Sequence, residues 1–178
     1  MGKPLLMVDI DGVVSLFPAR AGTQPGGMGL SPARASSGLR SVDGSFHSIE
    51  GIPHFLSSTA AAHLLDLSRI FELVWASGWE EKANEHLPRL LGLPAPLPFL
   101  RFSRAVGSTH AHWKLESIEA YAGGRPLAWI DDAFNPACHA WAKARPAPTL
   151  LVRTAPEEGL TSREAELLVA WAGELQAG

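Results

Sequence analysis

Three short apolar runs, each ending abruptly in acidic or small residues, set the rhythm of this chain. Leu5 to Val8 stops at Asp9-Ile10-Asp11-Gly12, Phe71 to Ala76 stops at Ser77-Gly78, and Pro126 to Ile130 stops at Asp131-Asp132. Their length and their aliphatic and aromatic content predict buried strands. Phe99 to Phe102 predicts a further short strand and Thr149 to Val152 a last one. Helical periods fill the intervals. Ser57-Ser58-Thr59 caps a helix to about Arg69, with Leu64, Leu67 and Ile70 on its inner stripe. Glu80 and Glu81 suit the positive end of a helix that reaches Leu91 and stops at Gly92. Lys114 opens a helix through Tyr121, and Asn135-Pro136 caps another to about Ala144. Thr161-Ser162-Arg163-Glu164 matches a capping box, followed by Leu167, Leu168, Trp171 and Leu175 on one face. This β-α alternation predicts an α/β three-layer sandwich around a mainly parallel, Rossmann-like sheet.

Residues 18–53 break the rhythm, being rich in Gly, Pro, Ser and Arg with Gly26-Gly27-Met28-Gly29 at their centre. So long a connection inside a compact fold points to a functional or mobile segment. Ser45 to Ile49 alternates after Asp43-Gly44, as a short hairpin arm would. Arg20, Arg34 and Arg40 fall in the same stretch, where contact with an anionic substrate competes with plain solvation.

A chain of 178 residues, 46% of them hydrophobic, suffices for one buried core and is short for two, so residues 1–178 are expected to form a single domain. A net charge of −3 gives no overall basic surplus for nucleic acid. Cys138 is the only cysteine, which excludes an intrachain disulfide. Without a signal-like leader, or an apolar run near the ~20 residues that span a bilayer, the expectation is a cytoplasmic protein without a membrane partner.

Alternation along a strand turns Asp9 and Asp11 the same way and Ile10 into the core. In open parallel sheets, ligands bind outside the carboxyl ends of the strands, so the three acidic or polar strand ends are expected to meet in one crevice. Phosphate-binding G-x-x-x-x-G-K-[ST] and dinucleotide-binding G-x-G-x-x-G sequences are both absent.

Asp9, Asp11, Ser77, Lys114 and the pair Asp131 and Asp132, in that order and in those contexts, resemble the four motifs of the haloacid dehalogenase (HAD) superfamily of phosphatases and phosphotransferases, over roughly residues 3 to 153. The motifs are D-x-D-G after the first strand, a Ser or Thr after a hydrophobic strand, a Lys, and an acidic pair after another strand. Val74 to Trp79 with Ala83-Asn84, and Leu127 to Asp132, are similar to the small HAD domain of "Swiss Army Knife" RNA-repair proteins.

The resemblance implies a HAD-like fold with residues 15–56 inserted as a flap or minimal cap. It implies a Mg²⁺-dependent phosphohydrolase that acts on a phosphate monoester through an aspartyl phosphate. Asp9 would be the nucleophile and Asp11 the acid and base. Asp9, the Asp11 backbone carbonyl, Asp131 and Asp132 would hold Mg²⁺, with Asn135 near the place of a later acid. Ser77, Gly78, Trp79 and Lys114 would receive the substrate, a phosphorylated small molecule or a nucleic-acid end. Phosphotransfer to another acceptor, end repair of RNA and a non-catalytic binding module stand as alternatives.

Several of these residues have structural readings too. Ser77-Gly78-Trp79-Glu80 is a capping box as well as a phosphate contact. Lys114 alone would be an exposed helix lysine. Trp75 and Trp129 read as core, Trp79 as either packing or recognition. His110 and His112 lack the further ligands that zinc requires.

Overall fold

To bury Leu5–Val8, a strand is needed on each edge and a layer of helices on each face, and the computed structural model supplies both. It describes residues 2–17, 42–103 and 110–177. The elements in chain order are β1 (Leu5–Val8), β2 (Ser15–Leu16), β3 (Gly44–Ile49), β4 (Ile52–Ser57), α1 (Ser58–Leu67), β5 (Glu72–Trp75) and α2 (Lys82–Leu91). A 3₁₀ turn (Ala111–Lys114), α3 (Leu115–Ala122), β6 (Leu127–Asp131), α4 (Pro136–Ala144), β7 (Thr149–Arg153) and α5 (Ser162–Ala177) follow.

The main sheet has the order β5-β1-β6-β7, every pair parallel. Val8 of β1 lies opposite Trp75 on one side and Ile130 on the other, so three strand ends finish level. Alternation sends Leu6, Val8, Trp75 and Ile130 to one face, against Leu64 of α1, Leu87 of α2 and Leu168 of α5. Leu5, Met7, Val74 and Trp129 go to the other, against Ile118 of α3 and Cys138 of α4. Helices thus cover both faces, the arrangement that a parallel sheet of near-continuous apolar strands requires. Trp75 and Trp129 are fully buried, as core residues. No helix among the described residues is long and apolar enough to cross a membrane.

Several boundaries differ from expectation. Phe99 forms only an isolated bridge to Trp75, and its neighbour Leu100 donates to the Trp75 carbonyl at 2.9 Å, so the run from Phe99 to Phe102 makes one rung and no strand. Leu167 is 52% exposed: α5 turns Ala165, Leu168 and Ala172 inward, and a residue next to an inward leucine lies about 100° round the helix. Trp171 does pack, stacked on Phe71 at 6.3 Å. The capping box of α5 is half formed, with the Thr161 amide donating to Glu164 Oε2 at 3.1 Å.

A second sheet, β2-β4-β3, is antiparallel. Its hairpin turns at Glu50-Gly51, both at positive φ (51° and 82°), which is the two-residue turn that matches strand twist. Asp43-Gly44 instead leads into β3. β4 runs directly into α1, whose N-cap Ser57 accepts from the Ala60 amide at 3.1 Å. The Ser57 amide also donates to the Val14 carbonyl at 3.0 Å, joining this sheet to the loop after β1. Within the expected 15–56 insertion, residues 15–17 and 42–56 contribute to this sheet and its flanks. Residues 18–41, with Arg20, Arg34, Arg40 and Gly26 to Gly29, lie outside the described residues.

Candidate functional site

Asp9 is the first residue past β1, yet its amide still donates to the Ile130 carbonyl at 3.1 Å, so the sheet fixes its backbone. One carboxylate oxygen, Oδ1, accepts from the Ile10 amide at 2.8 Å. Asp131 ends β6, and its Oδ1 accepts from the Ala133 amide at 2.9 Å. The remaining oxygen of each carboxylate faces the same ammonium: Lys114 Nζ stands 2.9 Å from Asp9 Oδ2 and 2.7 Å from Asp131 Oδ2. Lys114 closes the 3₁₀ turn, which is fastened to the loop after β6 by the Ala111 amide donating to the Ala133 carbonyl at 2.9 Å.

All three groups are nearly out of water, at 7% exposure for Asp9, 0% for Asp131 and 3% for Lys114. Burial drives the lysine pKa down, but Asp9 and Asp131 outweigh it and hold the ammonium above the ordinary lysine value. Burial and then the Asp9 charge push Asp131 up to about 6, against the pull of Lys114. The same two causes raise Asp132. Negative charge is therefore in excess. Carboxylate oxygens of Asp9, Asp131 and Asp132 lie within 4.8 Å of one another, a set of hard donors that suits a small divalent cation.

Asp11 reaches the site by another route than strand alternation, because β1 ends at Val8. The chain turns tightly, with Val14 and Ser15 amides on the Ile10 carbonyl at 2.9 Å and the Gly12 amide on the Ser15 carbonyl at 2.8 Å. Its carboxylate lies apart from the three-oxygen cluster and accepts from Trp79 Nε1 at 3.0 Å. Burial raises Asp11 to about 6; the Trp79 bond opposes this and the Asp9 charge adds to it. Trp79 is held on its other side by His54, edge to face at 4.9 Å, and His54 Nδ1 pairs with Ser15 Oγ at 2.9 Å. Burial lowers the His54 pKa, favouring the neutral ring.

Gly12 has φ +73°, and a Cβ there would lie 2.6 Å from Asp132 Cγ. The close approach of the two loops depends on that missing atom. Gly12→Ala is expected to cost about 1–3 kcal/mol, through positive-φ strain and displacement of Asp132, read as a lowered urea midpoint.

Ser77 is 2% exposed at the end of β5, held level with β1 by the Ala76 amide on the Val8 carbonyl at 2.8 Å. Its capping box does not form. Glu80 sits at φ 47°, its carboxylate accepts from the Phe102 amide at 2.9 Å, and α2 begins only at Lys82. Gly78 and Trp79 are half-buried in the intervening turn. Asn135 caps α4, accepting from the Cys138 amide at 3.2 Å, and its Nδ2 is 3.0 Å from His112 Nδ1. The one cluster of candidate metal ligands among the described residues is that of Asp9, Asp131 and Asp132; His110 and His112 are not in it.

Two residues at the end of β7 were not anticipated. Thr154, 3% exposed, donates through Oγ1 to the Gly12 carbonyl at 2.8 Å, and its amide donates to the Asp131 carbonyl at 3.2 Å. Arg153 donates to the Asp132 carbonyl at 2.6 Å and to the Phe134 carbonyl. Together they brace both acid-bearing loops. The signal that would have found them is position alone, at the carboxyl end of a parallel strand.

Compared with known proteins, the chain matches no family model, no curated protein and no solved structure.

Proposed function

We propose that this chain is a divalent-cation-dependent phosphohydrolase of the HAD kind, which moves the phosphoryl group of a monoester first to Asp9 and then to water. The observation that carries the reading is the buried Lys114 between Asp9 and Asp131 at the end of a parallel sheet. A structural ion pair needs one partner of each sign, and burying an uncompensated carboxylate is costly. Two carboxylates on one lysine, with Asp132 beside them, favour a site completed by added positive charge and an anionic ligand.

In this reading an Asp9 carboxylate oxygen attacks phosphorus, and the bond from phosphorus to the leaving oxygen breaks as that oxygen takes the Asp11 proton. Water then attacks the aspartyl phosphate, Asp11 recovers a proton from it, and phosphate departs with Asp9 restored. Lys114 offsets charge on Asp9 and on the phosphoryl oxygens, and the Ser77 hydroxyl donates to one of them. A cation held by Asp9, Asp131 and Asp132, for which Mg²⁺ is the hard-ligand choice, would supply the charge neutralisation that anionic phosphate demands.

Hydrolysis of p-nitrophenyl phosphate between pH 5 and 8 tests the proposal. Turnover with Mg²⁺, lost to EDTA and restored by excess Mg²⁺, is expected. Folded protein that releases no phosphate from this or any natural phosphate ester under those conditions would leave a non-catalytic module.

A further inference from the structure

Trp79 links the proposed acid to a cavity that phosphoryl transfer itself does not require. The cavity, of about 240 Å³, lies between the β3–β4 hairpin and the start of α2. Ile49, Ile52 and His54 line it from the hairpin, Trp79 and His86 from the other side. An ion pair between Lys82 and Glu50, 2.9 Å long, joins the two walls and lines the same space.

A general acid must stand within a hydrogen bond of the oxygen that it protonates. The Asp11 carboxylate also holds the Trp79 N–H at 3.0 Å. Two hydrogen bonds of ~3 Å, joined through a carboxylate whose oxygens are about 2 Å apart, bring the leaving oxygen within roughly 8 Å of the indole nitrogen. The body of the leaving group therefore has Trp79 as a neighbour, with the cavity beyond.

Trp79 is fixed at its nitrogen by Asp11 and at its ring by His54, so its aromatic surface is set before a ligand arrives. Ile52 is left 59% exposed beside it. Apolar and aromatic walls favour a flat ring; imidazoles, a carboxylate and an ammonium on the same lining favour one that carries hydrogen-bonding heteroatoms. A plain phenyl ring would leave the polar groups unmatched, and a sugar or alkyl group would waste the aromatic one. The volume lies below the ~300–1,000 Å³ of drug-sized sites, which suits one base and not a strand.

We propose that this cavity is the leaving-group site and takes a nucleobase, making the substrate a nucleoside monophosphate. The inference rests on the phosphohydrolase reading of Asp9 and Asp11. Hydrolysis breaks the bond between phosphorus and the nucleoside oxygen, which leaves as a hydroxyl with the Asp11 proton, while water supplies the oxygen of the released phosphate.

The test compares kcat/KM for adenosine monophosphate, O-phosphotyrosine and acetyl phosphate, whose leaving group is too small to fill the cavity, in the native protein and in Ile52→Trp. Ile52 is exposed, so the variant is expected to fold. The nucleotide should be preferred, and its ratio to acetyl phosphate should fall by about tenfold or more when tryptophan fills the space. Free adenosine, observed by saturation-transfer NMR, should bind the native protein through its base protons and lose most of that signal in Ile52→Trp.

Turnover of all three compounds with an unchanged ratio would overturn the cavity assignment and leave the phosphohydrolase standing. A preference for O-phosphotyrosine would overturn the nucleobase. Bound adenosine without hydrolysis of any of the three compounds would overturn the leaving-group role together with the reading on which it rests.

Discussion

Asp9→Asn is expected to lower turnover of a phosphate monoester by about 10⁴-fold or more while the protein stays folded. The carboxamide has nearly the shape of the carboxylate, and its oxygen can still accept from the Ile10 amide, a bond of 2.8 Å in the native protein. Lys114 keeps its 2.7 Å partner Asp131, so the ammonium is not stranded. What disappears is the anionic oxygen that would bond to phosphorus. The substitution also removes the second-largest influence that raises Asp131, after burial, so the remaining acids are not driven to protonate. Steady-state turnover with a circular-dichroism melt checks both halves. A variant within about tenfold of native activity would take the nucleophile role away from Asp9.

Lys114→Met is expected to cost about 3–5 kcal/mol at pH 7.5, because two buried carboxylates lose their cation together. Methionine fills most of the space left by the aliphatic stem, so lost packing accounts for little of this. The penalty should shrink as pH falls. Asp131 already binds its proton more tightly folded than unfolded, about 6 against an ordinary 3.8, so the folded state holds more protons across that window and stability drops as pH rises through it. Without the lysine, which pulls the Asp131 value down, that value climbs further, and the deficit against the native protein should be largest above it and smallest near pH 4. Urea denaturation at both pH values measures it. A deficit under about 1 kcal/mol at pH 7.5 would mean that the cluster does not carry the uncompensated charge described above.

Much of this site was legible because its parts sit at strand ends, where an apolar run that stops on a polar residue is a local signal. Asp9, Ser77 and Asp131 were found in this way, and the level ends of β1, β5 and β6 place them on one edge of the sheet. Lys114 followed from its place in the order of motifs; nothing in its own neighbourhood distinguishes it from a surface lysine. Asp11 was assigned to the site for a reason that fails, since its position comes from the Ile10 to Ser15 turn and not from alternation in a strand that has already ended.

What escaped the sequence is non-local. Thr154 meets the Gly12 carbonyl across 142 positions and Trp79 meets Asp11 across 68, separations at which no periodicity or cap pattern operates. The capping box at Ser77 misled for the opposite reason: the local pattern is sound, but Glu80 is recruited by the Phe102 amide from a distant segment and the helix starts later. Leu167 misled because the inward stripe of α5 runs through Ala165, Leu168 and Ala172, and Leu167 falls about 100° round the helix from Leu168 on its outer side.

The interior place of β1 also dictates an order of assembly. Leu5 is paired with Glu72 on one side and with Leu127 on the other, so β1, made before both partners, stays without its full set of neighbours until synthesis has passed residue 131. Until then its apolar side chains lack the strands that cover them in the folded protein. Refolding from denaturant must likewise close loops of that span before the nucleus is rewarded, which points to a barrier set by chain topology and to kinetics slower than those of a helical bundle of equal size.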